Sequence, residues 1–188
     1  KTVTLGFLML AVCSVASGTE RGKCLTYMPV AAMARAPQGR ENMRVLFVCL
    51  GNICRSPSAE GVFRAMVPEV ETDSAGTAGW HVGKPPYGPM QAAALARDVD
   101  LSDLRARQFV ARDFERFDLI VGMDAENIAN IEVLRPDGSD TEVRLFTDYA
   151  PESGMSEVPD PYYTRDFDGA LDLIEDCARG LKAALEAG

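Results

Sequence analysis

Histidine is nearly missing from this 188-residue chain, which has one, His81. The five cysteines (Cys13, Cys24, Cys49, Cys54, Cys177) bring no histidine or further thiol to a ligand-like spacing, so no zinc centre is written in the sequence. Their odd number and irregular spacing exclude a disulfide framework and fit reduced thiols in the cytoplasm. Positive charge is also short: 19 Lys and Arg against 28 Asp and Glu give a net charge of −9. That balance argues against nucleic acid or an anionic membrane as partner, so any bound anion must be gripped by a local site. The apolar run from Val3 to Ala16 is too short for a comfortable membrane span. Repeats and low-complexity tracts are missing too. What remains is an ordinary globular composition, 47% hydrophobic and 25% charged, long enough for about one domain.

The first forty-odd residues differ from the rest. KTVTLGFLMLAVCSVASG has the outline of a signal peptide, while Thr19 to Asn42 shows no clean periodicity. Met43 directly precedes the first clear strand. The expected organisation is an N-terminal extension over 1–42, read as a stretch upstream of a start at Met43 in preference to a working signal, and a folded domain over 43–188.

From Met43 on, strand and helix patterns alternate. Strands are expected at Arg44–Cys49, Val70–Ser74, Asp118–Met123 and Glu142–Phe146. Helices are expected at Ser58–Val67, Met90–Arg97, Arg112–Phe117, Ala125–Leu134 and Phe167–Glu186, with loops over 76–89 and 147–164. Such alternation implies right-handed crossovers, a parallel sheet with helices on both faces, and ligand binding beyond the carboxyl ends of the strands.

At that end of the first strand stands CLGNICRSP, Cys49 to Pro57. Gly51 permits positive φ and Asn52 tolerates it, so the linking residues can turn tightly and aim successive amides inward. Such a nest at a helix N-terminus binds anions. Arg55 adds a fixed fork suited to two phosphate oxygens. A cysteine on the floor of this cup would have its thiolate stabilised by amides, helix dipole and guanidinium together, with Ser56 able to donate to the sulfur. Metal binding, a disulfide and plain packing compete for the same two cysteines. The spacing Cys-x5-Arg alone is weak, whereas the full stretch between a strand and a helix is specific.

This stretch resembles the low-molecular-weight protein tyrosine phosphatases, and the likeness runs from about Met43 to the C-terminus. Asp73-Ser74-Ala75-Gly76-Thr77 looks like the family's segment that buttresses the cup. Met123-Asp124 with Asn127 looks like its segment after the third strand, and Asp160-Pro161-Tyr162-Tyr163 like its general-acid loop. The resemblance implies a phosphotyrosine phosphatase I-like fold, a three-layer α/β/α arrangement on a four-stranded parallel sheet, with residues 43–188 as catalytic domain. It implies hydrolysis of phosphotyrosine through a phosphocysteine, with Cys49 as nucleophile, Arg55 as phosphate clamp and Asp160 as general acid and then base. Neither metal nor cofactor is implied.

Around these, Leu50, Gly51, Asn52, Ile53, Cys54 and Ser56 are expected at the substrate, with Trp80 on one wall of the slot and Tyr162 and Tyr163 on another. Ser74 and Asp124 are expected as structural supports, Asp124 as a helix cap, and His81 as a surface loop residue. Family members often carry a histidine that supports the cup's asparagine. With only His81, in another loop, support for Asn52 must come from Ser74 and backbone groups. Cys54 is expected to guard Cys49 through a reversible disulfide. Related arsenate reductases need two extra cysteines after the second strand, and residues 75–110 contain none. Ile53 stands where phosphoarginine-directed members carry threonine, which favours tyrosine. The expected partner is a phosphotyrosine protein, a tyrosine kinase being one candidate. The acidic surface is expected to weaken association with acidic phosphopeptides.

Overall fold

Six residues, RVLFVC, alternate their side chains between two covered faces and so form a strand buried on both sides. This strand, β1 (Arg44–Cys49), is central in a four-stranded sheet of order β2-β1-β3-β4, parallel throughout. The computed structural model describes residues 43–187; the extension expected over 1–42 lies outside them. The other strands are β2 (Glu71–Gly76), β3 (Leu119–Gly122) and β4 (Glu142–Leu145). The helices are α1 (Arg55–Met66), α2 (Gly88–Leu95), α3 (Asp113–Arg116), α4 (Ala125–Glu132), α5 (Pro161–Thr164) and α6 (Phe167–Ala187).

The period-two pattern of β1 sorts the core into two layers. Val45, Phe47 and Cys49 join a cluster with Phe63 of α1 and Leu171 and Ile174 of α6, while Leu46 and Val48 face Phe114 of α3 and Ile131 of α4. Phe47 packs edge-on to Phe63 at 5.8 Å and against Phe146 at 5.2 Å. Burying each such side chain stabilises the fold by about 1.5–3 kcal/mol. This is the expected three-layer arrangement.

Element ends depart from the sequence reading at informative places. Helix α1 starts at Arg55, three residues before the expected Ser58. Pro57 fits inside its first turn because an amide there has no intrahelical acceptor to lose. Strand β2 runs on to Gly76 because Ala75 and Gly76 pair with Val48 and Cys49. Within the expected loop 147–164 lie two 3-10 turns, Phe146–Tyr149 and Pro151–Ser153, and α5, whose first turn Asp160 caps by accepting from Tyr162 N at 3.0 Å. The connection after β1 runs to β2 on one side, and the connection after the neighbouring β3 runs to β4 on the other. The crevice beyond their carboxyl ends is therefore a switch point, and it holds Cys49.

Candidate active site

Between β1 and α1 the chain is pinned outward by its carbonyls. Thr77 N donates to Cys49 O at 2.9 Å, Ala78 N to Leu50 O at 2.9 Å and Tyr87 N to Ile53 O at 2.7 Å. Every described peptide bond is trans, so the amides of Leu50, Gly51 and Cys54 point the opposite way, into the concavity. The left-handed residue that makes this turn is Asn52, at φ 53°, and not Gly51. Asn52 tolerates the conformation because its side chain is held on both ends. Its Nδ2 donates to Ser56 Oγ at 3.0 Å and Ser74 Oγ at 2.8 Å, and its Oδ1 accepts from Arg107 N at 2.9 Å. Gly76 is the glycine that the cup cannot replace. A Cβ there would sit 2.9 Å from Leu50 O and 3.1 Å from Asn52 N.

Cys49 Sγ lies on the floor, receiving Asn52 N–H at 3.2 Å and Ser56 O–H at 3.1 Å. Arg55, 4% exposed, rises beside it from the first turn of α1. Its Nη1 donates to Asp124 at 2.6 Å and Val158 O at 3.2 Å, and its Nη2 to Asp160 at 2.8 Å. Burial opposes its charge, but the sulfur of Cys49, Asp160 and Asp124 together raise its pKa above the ordinary value. Arg55 Nε is buried without a hydrogen-bond partner among the described residues, a donor left over beside the sulfur. Asp124 caps α4 through Asn127 N at 2.6 Å, as the sequence suggests, and also anchors Arg55, which the sequence does not reveal.

The slot above is lined by Cys49, Leu50, Gly51, Ile53, Cys54, Arg55, Trp80, His81, Asp160, Tyr162 and Tyr163. Trp80 and Tyr163 are each 71% exposed, so both are rim groups and not core. Two expectations change. Asn52 and Ser56 do not line the slot, because their side chains lie behind it as scaffold. His81 is not a plain surface residue, since it lines the slot beside Trp80. Cys54 is buried next to Cys49; burial, then Cys49 and Asp160, push its thiol up to about 12 against the pull of Arg55 and Arg165.

Two supports escaped the sequence reading. Arg107 ties Asn52 to the end of β2, its side chain pairing with Asp73 at 2.9 Å and the buried Asp113 at 3.0 Å. Glu60 of α1 accepts from Ser74 Oγ at 2.6 Å, extending the chain from Cys49 through Ser56, Asn52 and Ser74. No local signal marks either one, for Asn52 and Arg107 are 55 positions apart. Burial raises the Glu60 carboxyl from 4.5 to about 7; the Ser74 bond lowers it, and Asp73 adds to the rise. The folded state thus holds this proton more tightly than the unfolded chain. Stability from this group is full below about pH 4.5 and declines as pH rises to about 7, a loss of about 3 kcal/mol at 1.4 kcal/mol per pH unit. Glu60→Gln is expected to shrink the fall in Tm between pH 5 and pH 8 by about 5–10 °C. Thermal melts with identical pH dependence in both proteins would contradict it.

Comparison with known proteins agrees with this geometry. Residues 44–188 match the family described as low molecular weight phosphotyrosine protein phosphatase. The low molecular weight protein-tyrosine-phosphatase YfkJ of Bacillus subtilis is 38% identical over 148 residues, 76% of this chain and 95% of the relative. Its crystal structure superposes with a TM-score of 0.73 at 37% identity, covering 77% of this chain and 95% of that one. The Streptomyces coelicolor relative is 46% identical over 153 residues, 76% of this chain and 93% of its own. Wzb of Vibrio vulnificus, solved with benzylphosphonate, superposes with a TM-score of 0.68 at 27% identity over 78% of this chain and 99% of that one. The chain therefore belongs to the low molecular weight phosphotyrosine protein phosphatases, a family of hydrolases, and is itself a protein-tyrosine phosphatase.

Proposed function

We propose that this enzyme removes phosphate from tyrosine in proteins by transfer through Cys49. The observation that carries the reading is the Cys49 sulfur, hydrogen-bonded twice on the floor of a cup whose carbonyls are turned outward and whose wall is Arg55. The inward amides and Arg55 hold the three non-bridging oxygens. The thiolate attacks phosphorus as the bond to the phenolic oxygen breaks, and Asp160 hands its proton to the departing oxygen. A water then attacks the phosphocysteine and gives a proton back to Asp160. The thiolate leaves, accepting from Ser56, and inorganic phosphate is released. Binding of benzylphosphonate by the Vibrio relative supports an aryl group seated above such a cup.

Asp160 is paired with Arg55 at 2.8 Å, so a phosphate dianion competes with it for the same guanidinium. Trp80, Tyr162 and Tyr163 give the slot flat walls, deep enough to favour a phenyl ring over the shorter phosphoserine. Ile53 keeps the slot apolar, which favours phosphotyrosine over phosphoarginine. In an acid-quenched reaction with radiolabelled phosphotyrosine peptide, label should remain on the protein and be lost in Cys49→Ser. Release of phosphate at equal rates from phosphoserine or phosphoarginine peptides would defeat the assignment.

Cytoplasmic placement and redox sensitivity belong to the same reading: three described thiols are free and buried, and a nucleophilic sulfur survives best where thiols stay reduced. No helix among the described residues is long and apolar enough to cross a membrane. Cys54 serves as the guard. Its raised pKa makes disulfide closure slow at neutral pH, so peroxide-treated enzyme should recover with thiols more completely at pH 9 than at pH 6. Equal recovery in Cys54→Ser would remove it from that role. A phosphorylated tyrosine kinase is a candidate substrate, and dephosphorylation of one in vitro is its test.

A further inference from the structure

Net charge alone sets this protein against acidic peptides, yet the rim of the slot carries the opposite sign. Arg165 follows α5, five residues after Asp160, in a left-handed conformation (φ 63°) that usually calls for glycine. Its Nη1 donates to the Tyr87 hydroxyl at 2.8 Å. The guanidinium carbon lies 5.8 Å from the centre of the Tyr87 ring and 5.4 Å from that of Tyr162, which lines the slot. One N–H and two ring faces thus fix an exposed cation at the mouth, while the guanidinium has five donors in all. Arg44, Arg64, Arg97, Arg107, Arg135 and Arg179 each hold a carboxylate. Arg165 holds none among the described residues. A second exposed cation, Lys84, places Nζ 3.3 Å from Nδ1 of His81, which also lines the slot, and it too has no carboxylate partner among the described residues.

We propose that Arg165, assisted by Lys84, reads acidic side chains beside the phosphotyrosine of the protein substrate. The proposal rests on the phosphotyrosine reading of the slot and deepens it to a substrate class. Range decides between the two fields. Screening has a length of about 8 Å at physiological ionic strength, so carboxylates spread over the surface are felt weakly at the mouth. A guanidinium fixed at the mouth beside Tyr162 would stand within that length of a peptide in the slot and would be screened much less.

The test compares peptides of equal length with one phosphotyrosine and either Gln or Glu on its N-terminal side, its C-terminal side, or both. Wild type is expected to favour the Glu peptides by about threefold to tenfold in kcat/KM, mainly through KM and less at high salt, the size of a few exposed ion pairs. Arg165→Gln should lose the preference on at least one flank, and Arg165→Gln with Lys84→Gln on both. Turnover of p-nitrophenyl phosphate, which carries no flanking residues, should move less than twofold. No preference in wild type, a preference for Gln, or one that survives in the double variant would overturn the proposal. An equal fall on every substrate, p-nitrophenyl phosphate included, would also overturn it and leave Arg165 as a prop for Tyr87 and Tyr162. Failure of the phosphotyrosine reading looks different: wild type would then turn over none of the peptides.

Discussion

Cys49→Ser is expected to slow hydrolysis of p-nitrophenyl phosphate by roughly 10⁴-fold or more. The substitution keeps the size and hydrogen bonding of the group but replaces the sulfur nucleophile with a hydroxyl that has no base in contact. Among the described residues both hydrogen bonds to Cys49 Sγ come from donors, Asn52 N and Ser56 Oγ, and neither is a base that takes a proton from serine. The cup should survive, because its loop is fixed by Thr77, Ala78, Tyr87, Ser74 and Arg107 and not by the sulfur. Titration with inorganic phosphate or vanadate should therefore still show binding, vanadate in a non-covalent form. Turnover within tenfold of wild type would remove Cys49 from the chemistry. Lost turnover together with lost anion binding would instead indicate a collapsed cup.

Asp160→Asn is expected to lower kcat/KM by about 10²–10³ for phenyl phosphate, a poor leaving group, and by far less for p-nitrophenyl phosphate, whose phenolate departs without a proton. Hydrolysis of the phosphocysteine, common to both, slows alike and lowers kcat for each. The resting contact with Arg55 adds a second signature. Asparagine carries no charge to compete with phosphate for the guanidinium, so KM should stay the same or fall while kcat drops. A residue that merely closed the turn before Pro161 would change both leaving groups alike. A dependence on leaving-group pKa that is the same in wild type and in Asp160→Asn would rule out the acid role.

Where sequence reading succeeded, the signal was local. Pattern and spacing over Arg44–Ser56 place a strand, a tight loop and a helix in one stretch, and the chemistry of Cys49 and Arg55 sits inside it. Asp124 announces a cap because caps act within four residues. Where reading failed, the contact was distant or conformational. Nothing in the LRARQ stretch around Arg107 states that its amide will hold Asn52, and nothing near Glu60 states that Ser74 will reach it from β2. The choice of Asn52 over Gly51 for positive φ turned on those partners, so it was invisible until the sheet aligned Ser74 with Phe47. His81 was misjudged because a lone histidine in a Gly-rich loop has no periodicity to reveal which way the loop folds.

The outward-tethered carbonyls of Cys49, Leu50 and Ile53 settle when the cup's disorder is given up. Their donors, the amides of Thr77, Ala78 and Tyr87, lie just beyond β2's end and in the segment before α2, so these bonds close as the domain itself folds. An arriving phosphate then meets amides already aligned and need not freeze the loop on contact. Recognition of the anion is in this sense a by-product of folding, and its strength should track the integrity of the distant β2 end more closely than the composition of the loop.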